Sequence, residues 1–114
     1  MDEKTFGKLL EKLRKIEISK WVQAHLGFST YLGRFKVIIG LDSEKRGDGA
    51  GFYEDFDYNF LKVFDKEGEI YFARDDSRLK NLYDGVYSKL ENIEKEKAKR
   101  KQTDSMNDLT SLLD

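Results

Sequence analysis

Two aspartates separated by one residue are the first candidates for chemistry in this chain of 114 residues. Asp55 and Asp57 stand in the strand-like stretch "EDFDY", and alternate residues of a strand point to one side of a sheet. Two such carboxylates can share a hard cation such as Mg²⁺. A two-metal nuclease needs further carboxylates and usually a lysine, which the sequence does not place beside this pair. A solvated acidic strand end is the simpler interpretation, and we predict no metal site, no cofactor and no enzymatic activity.

Two other motifs give little support to catalysis. His25 is the only histidine, and the nearby "GFSTY" lacks the second glycine of a nucleophile elbow around Ser29. We therefore interpret His25 as a surface or interface histidine. The stretch "RGDGAG" has the glycine content of a phosphate-binding loop, but that motif needs a Lys-Ser/Thr pair followed by a helix. Strand-like residues follow here, which favours a flexible hairpin loop.

Aromatic and basic residues are interleaved along the first two predicted strands, between positions 20 and 36. Such surfaces bind single-stranded nucleic acid because bases stack on the rings and Lys or Arg neutralises phosphates. If Val37 and Ile39 face the helices, Tyr31 and Phe35 join them in the core. The opposite face of the sheet then carries Trp21, Arg34 and Lys36. Cross-strand aromatic pairs are common in any sheet, so an ordinary sheet surface is the alternative. The predicted nucleic-acid-binding residues are Lys20, Trp21, Arg34 and Lys36, with Lys97, Lys99, Arg100 and Lys101 adding phosphate contacts or pairing with the acidic C-terminus.

The last residues, "TDSMNDLTSLLD", combine acids with large apolar side chains. Met106, Leu109, Leu112 and Leu113 lie at i, i+3, i+6 and i+7, so in a helix they form one apolar stripe. A short amphipathic helix that lies in a groove is a common recognition mode. Three interpretations stay open: the tail docks on its own domain or on a sister subunit, it recruits a protein partner, or it has no role.

This order of segments, a basic-aromatic core, a charged connector and an acidic tail with apolar residues, is similar in organisation to single-stranded DNA-binding proteins of bacteria and phages. The similarity covers the layout and no core motif, and the ending "SLLD" differs from the Pro-Phe ending of the bacterial family. It implies binding of single-stranded nucleic acid and a tail that recruits a protein or competes for the basic surface. The alternative is a protein-interaction module, an adaptor or inhibitor of phage or mobile-element type, that uses the acidic region 42–76 and the tail.

Hydrophobic periodicity predicts the elements that position these residues. Apolar residues repeat with a period of 3.6 from Phe6 to Ile16, which indicates a helix, and again from Leu79 to Ile93 in a second helix. Between them, alternating patterns predict strands at 16–28, 29–41, 56–65 and 69–75, with a loop at 42–55. The predicted fold is α+β: a four-stranded antiparallel β-meander with an N-terminal and a long C-terminal helix, in the order α-β-β-β-β-α. The predicted domain is 1–101, followed by a flexible acidic tail, 102–114.

Composition sets further limits. The net charge is −1 and there is no cysteine, which excludes disulfides and thiol chemistry. The charges are segregated, since residues 42–76 carry five bases and eleven acids whereas residues 77–101 carry eight bases and four acids. The chain has no run of 18 apolar residues and begins unlike a signal peptide, so we predict a cytoplasmic protein with no membrane contact. The predicted third strand is apolar on both sides, which suggests that its second face is covered, and a homodimer is one way to cover it.

Overall fold

Five antiparallel strands form one sheet in chain order, and two helices pack on the same face of it. The computed structural model describes residues 1–113. Its elements are α1 (Glu3–Arg14), a 3₁₀ turn (Ile18–Lys20), β1 (Val22–Ala24), β2 (Gly27–Leu32), β3 (Phe35–Gly47), β4 (Tyr53–Asp65), β5 (Gly68–Arg74) and α2 (Ser77–Leu113). The predicted α+β class and both helices are confirmed, but the sheet has five strands and not four.

Helix α1 begins where the sequence predicts. The Asp2 carboxylate accepts a hydrogen bond of 2.7 Å from the Thr5 N–H, which satisfies one of the free donors of the first turn. Phe6, Leu10 and Leu13 form its buried side. The start of α1 is also joined to the start of α2, since the Arg78 guanidinium lies 2.6 Å from the Glu3 carboxylate.

The additional strand arises from a turn that the hydrophobic pattern does not reveal. Gly33, at φ +59°, and Arg34 form a two-residue turn that divides the predicted strand 29–41 into β2 and β3. Tyr31 pairs with Lys36 across this turn, so odd and even positions exchange faces. The predicted placement of Tyr31 beside Phe35 in the core is therefore wrong for Tyr31, which is 63% exposed, and right for Phe35, which packs against the core.

The region predicted as a loop, 42–55, is largely strand. Beyond Gly40 and Phe60, strands β3 and β4 pair only with each other, from Leu41 opposite Asn59 to Gly47 opposite Tyr53. This two-stranded extension, which we call the arm (residues 41–59), reaches roughly 20 Å beyond the other strands. The prediction failed because charged, alternating residues of a solvated hairpin resemble a polar loop in composition.

The hydrophobic core lies between the helices and one face of the sheet. Trp21 belongs to it with 4% exposure, because the 3₁₀ turn interrupts the predicted strand 16–28 and sets a new side-chain direction before β1. The prediction that Trp21 lies on the opposite face is therefore wrong. The buried members of the core are Phe6, Leu10, Leu13, Trp21, Phe28, Val37, Ile39, Leu61, Val63, Leu79, Leu82 and Val86.

Helix α2 extends well beyond the sheet. Its apolar stripe ends at Ile93, as predicted, and every residue from 94 to 113 is exposed, an overhang of roughly 30 Å. The helix continues through the predicted boundary at residue 102, so residues 102–113 are helical here, while the flexibility of this tail stays a prediction. Asp114 lies outside the described residues. No helix within residues 1–113 has the length and apolarity needed to cross a membrane.

Candidate functional site

The face of the sheet opposite the helices carries an aromatic cluster flanked by cations. The strand register assigns the residues that alternate with the core positions Val37, Ile39, Leu61 and Val63 to this side. We call it the open face, because α1 and α2 both pack on the other side. Its central residues are Tyr31, Lys36, Ile38, Gly40, Phe60, Lys62, Phe64, Phe72 and Arg74.

Phe60 is the centre of this cluster. Its ring lies across Gly40 of the neighbouring strand, where an added Cβ would stand 2.5 Å from Cζ of Phe60. The Phe72 ring is stacked at a centroid distance of 6.5 Å and the Tyr58 ring lies at 6.4 Å. Phe60 is thereby only 4% exposed, whereas Phe72 remains 42% exposed. The open face thus presents a packed aromatic group rather than isolated rings.

Lysines lie directly over or beside these rings. The Lys62 ammonium is 5.4 Å from the Phe60 centroid and 5.8 Å from the Phe72 centroid, within the range of cation–π attraction. Lys36 pairs in register with Phe64 on β4 and with Tyr31 on β2. Within residues 1–113 neither lysine makes an ion pair, so both positive charges are available to an anionic ligand.

Arg74, at the base of the arm, has its charge compensated within the protein. Its guanidinium lies 3.7 Å from the Tyr58 ring centroid and donates to both Glu44 carboxylate oxygens at 3.1 and 2.9 Å. Arg46 donates to the same carboxylate at 2.7 Å. These hydrogen bonds, Arg74 first, lower the pKa of Glu44 from 4.5 to about 2. Desolvation, together with the Asp42 carboxylate, raises the pKa of Tyr58. This corner is a fixed polar network and is not a free cationic site.

The predicted nucleic-acid-binding residues do not converge on one surface. Lys36 lies on the open face. Arg34 occupies the β2–β3 turn with its guanidinium 4.9 Å from the Phe35 centroid, and exposed Lys20 ends the 3₁₀ turn. Trp21 is in the core. The remaining four, Lys97, Lys99, Arg100 and Lys101, lie on the exposed overhang of α2.

The residues of β4 and β5 that make this face were not among the predicted binding residues. Phe60 and Lys62 share one side of β4, and Phe72 and Arg74 share the same side of β5. The available signal was the apolar character of the third predicted strand on both of its sides. One side is explained by the core, and the aromatic cluster of the open face accounts for the other.

The motifs considered for catalysis lie elsewhere and are dispersed. Asp55 and Asp57 share the other side of the arm, opposite Lys45 and Ser43, and no group of three potential metal-ligating side chains occurs within residues 1–113. His25 is exposed in the β1–β2 turn. "RGDGAG" ends β3 and forms the arm's tip, where the Asp48 carboxylate accepts the Ala50 N–H at 2.7 Å. The antiparallel pairing of β3 with β4 confirms the hairpin, while the flexibility of its loop stays a prediction.

The open face can therefore offer two things to a ligand: exposed aromatic rings, chiefly Tyr31 and Phe72, and the unpaired ammonium groups of Lys36 and Lys62. This combination suits a flat, anionic or polyanionic ligand. Comparison of the chain with known protein families, with curated proteins and with solved structures found no match.

Proposed function

We propose that this protein binds single-stranded nucleic acid through the open face of its sheet and has no catalytic activity. The observation that carries the proposal is the position of the unpaired Lys62 ammonium over the Phe60 and Phe72 rings, beside the exposed aromatic side chains of the same face. Stacking on rings and neutralisation of phosphates are the two interactions by which single strands are bound without sequence preference.

In this proposal the nucleic acid crosses the strands of the open face from β2 to β5. Tyr31 lies on β2, Lys36 on β3, Lys62 on β4 and Phe72 on β5, so rings stand at both sides and lysines between them. The outer two strands are three strand spacings apart, about 14 Å. Each base that stacks on a ring contributes roughly 1–3 kcal/mol, and this contribution hardly depends on base identity because every base has a π-face.

The C-terminal part of α2 has a separate proposed role, the recruitment of a protein. Its exposed apolar side chains form a stripe on the part of the helix that extends beyond the sheet. Surface patches of this kind mark sites of protein interaction. The residues of this proposed contact are Met106, Leu109, Leu112 and Leu113.

Fluorescence anisotropy of a labelled single-stranded oligonucleotide tests the nucleic-acid part. We expect salt-sensitive binding by the full chain that is weakened about 5- to 150-fold by Phe72→Ala, the loss of one stacked base. Lys62→Gln should weaken it as well. Matched controls are Tyr53→Ala, an exposed aromatic residue at the arm's tip, and Lys4→Gln, an exposed lysine of α1. Anisotropy that does not rise with protein concentration at low salt would contradict this proposal.

The arm supports a second candidate function, a protein-interaction module. Phe52 and Tyr53 at its tip are 73% and 71% exposed, and large aromatic residues are enriched at interface hot spots. In this case the arm and the C-terminal stripe hold a protein partner and no nucleic acid binds at any salt concentration. Phe52→Ser would then abolish capture of the partner, while Phe72→Ala would not.

A further inference from the structure

An apolar groove of about 320 Å³ runs between α1 and the end of the sheet. Leu9 of α1 forms one wall, and Leu32, Phe35 and Ile70 form the other. Ile70 is 54% exposed, so the groove opens to the outside and is not a sealed part of the core. We call this feature the groove.

The rim of the groove is basic. Lys8 and Lys12, one helical turn apart on α1, stand beside it. Within residues 1–113 neither makes an ion pair. An apolar floor with an unpaired positive rim fits an amphipathic helix whose apolar side is bordered by acids.

The end of α2 is an amphipathic helix of this kind. Met106, Leu109 and Leu113 follow one another at helical spacing, and Leu112, beside them, is 84% exposed. Asp108 lies four residues before Leu112 and hence next to it on the helix surface. Residues 102–114 contain three acids and no base.

Packing against a partner would also stabilise the overhang. Residues 94–113 form a helix with no tertiary packing. Most helical stability in proteins comes from burying an apolar face. Burial of the stripe Met106–Leu113 would supply this stabilisation.

The chain cannot fill its own groove without breaking α2. The helix is continuous to Leu113, and its packing contacts are with α1, the 3₁₀ turn and β2–β4. At 100° per residue, the side chains of Met106, Leu109 and Leu113 point roughly opposite to the side of α2 that faces the sheet. These three side chains of the stripe are therefore directed away from their own domain.

We propose that the end of α2 from one copy of the chain docks in the groove of a second copy, and that the exchange is reciprocal. A reciprocal contact closes with two-fold symmetry and leaves no free stripe or groove. Asp108 of each tail then lies near the basic rim formed by Lys8 and Lys12. The inference rests on the proposed role of the tail as a protein contact and is separate from nucleic-acid binding by the open face.

Sedimentation velocity of the full chain over a wide concentration range tests this dimer. We expect the mass of two chains, and expect Leu112→Asp in the tail or Ile70→Asp in the groove to raise the dimer dissociation constant about tenfold or more. Matched controls that should leave the dimer unchanged are Ser111→Asp, on the opposite side of the tail helix, and Val22→Asp, an exposed strand residue outside the groove. A single-chain mass at every concentration would overturn the proposal, as would a dimer that neither substitution weakens.

Mixing the two variants distinguishes this contact from any other dimer. The Leu112→Asp chain keeps an intact groove and the Ile70→Asp chain keeps an intact tail, so an equimolar mixture should form a heterodimer through one intact contact. Failure of the mixture to associate more strongly than either variant alone would reject tail exchange. Oligonucleotide binding measured on the same variants keeps the two proposals separate, because its loss or retention depends on the open face and not on the dimer.

Discussion

The ring of Phe60 lies across Gly40, so closely that a Cβ at Gly40 would stand 2.5 Å from the ring's Cζ and 2.6 Å from the Leu26 carbonyl oxygen. The absence of a side chain on β3 therefore creates the space in which the aromatic cluster of the open face assembles. Phe60 in turn supports Phe72, the exposed ring on which we propose that a base stacks. The organisation of the open face depends on this one contact between neighbouring strands.

We expect Gly40→Ala to destabilise the fold by about 1–3 kcal/mol, the usual cost of overpacking a close contact. The Leu26 carbonyl belongs to the backbone and cannot rotate away, so the strands or the Phe60 ring must shift. Urea unfolding followed by the fluorescence of Trp21, the only tryptophan and 4% exposed, measures the change. An alanine variant as stable as the wild type would show that the ring moves freely and that the contact does not organise the face.

Gly7 and Gly85 should behave in the opposite way. Both lie in helices at negative φ, and an added Cβ at either would meet no heavy atom within 4 Å. Alanine at each position should stabilise the protein by roughly 0.5–1 kcal/mol, because glycine loses more backbone freedom on folding. The same urea experiment checks this, and a loss of stability in both variants would mean that the two helices pack more tightly along this side than the structure shows.

We expect Trp21 to contribute to the stability of the fold and not to the binding of nucleic acid. Trp21→Ala should lower the free energy of unfolding by about 3–5 kcal/mol, as expected for removal of a buried tryptophan. Trp21→Phe keeps most of the apolar volume and should bind the oligonucleotide with wild-type affinity. Quenching of Trp21 emission by bound oligonucleotide without unfolding would instead place the ligand on the helical side of the sheet.

The Glu44 carboxylate should make stability depend on pH in acid. Its pKa is lowered from 4.5 to about 2 by Arg74 and Arg46, so its contribution to stability is present above pH 4.5 and is lost as the pH falls from 4.5 towards 2. Glu44→Gln should therefore be less stable than the wild type at neutral pH and should lose less stability across this interval. Urea unfolding at several pH values measures both effects. Glu54→Gln, at an exposed arm residue, is the matched control, and equal acid profiles for wild type and Glu44→Gln would contradict the assignment.

The helices were predictable from sequence because their apolar residues repeat over several turns and Asp2 provides a local cap. The sheet was less predictable from the sequence, and the turn formed by Gly33 and Arg34 shows the reason. A two-residue turn inside an alternating pattern leaves the alternation intact while it exchanges the faces of all following residues. Because this turn was not predicted, β2 and β3 were treated as one strand and Tyr31 was assigned to the wrong face of the sheet.

The candidate site was predictable in type but not in membership. An aromatic-basic open face was predicted, and of its residues only Lys36 was named, since face assignment required the turn. Trp21 illustrates a second reason: the 3₁₀ turn before it changes the direction of its side chain, and no period in the sequence records such a turn. The arm illustrates a third reason. Its charged strands are held together by main-chain pairing, which leaves no hydrophobic pattern in the sequence.

The salt dependence of binding measures how many lysines of the open face contact phosphate. For single strands the logarithm of the binding constant falls with the logarithm of the salt concentration with a slope of about −0.7 per neutralised phosphate. If Lys36 and Lys62 both contact phosphate, Lys62→Gln should reduce the magnitude of the slope by about 0.7, and the double variant with Lys36→Gln should reduce it by about twice that amount. Phe72→Ala should weaken binding at every salt concentration and leave the slope unchanged, because stacking releases no counterions. If the slope of the double variant equals that of the wild type, the phosphate contacts do not involve the open face. They would then be assigned to the overhang of α2, with its basic residues Lys97, Lys99, Arg100 and Lys101.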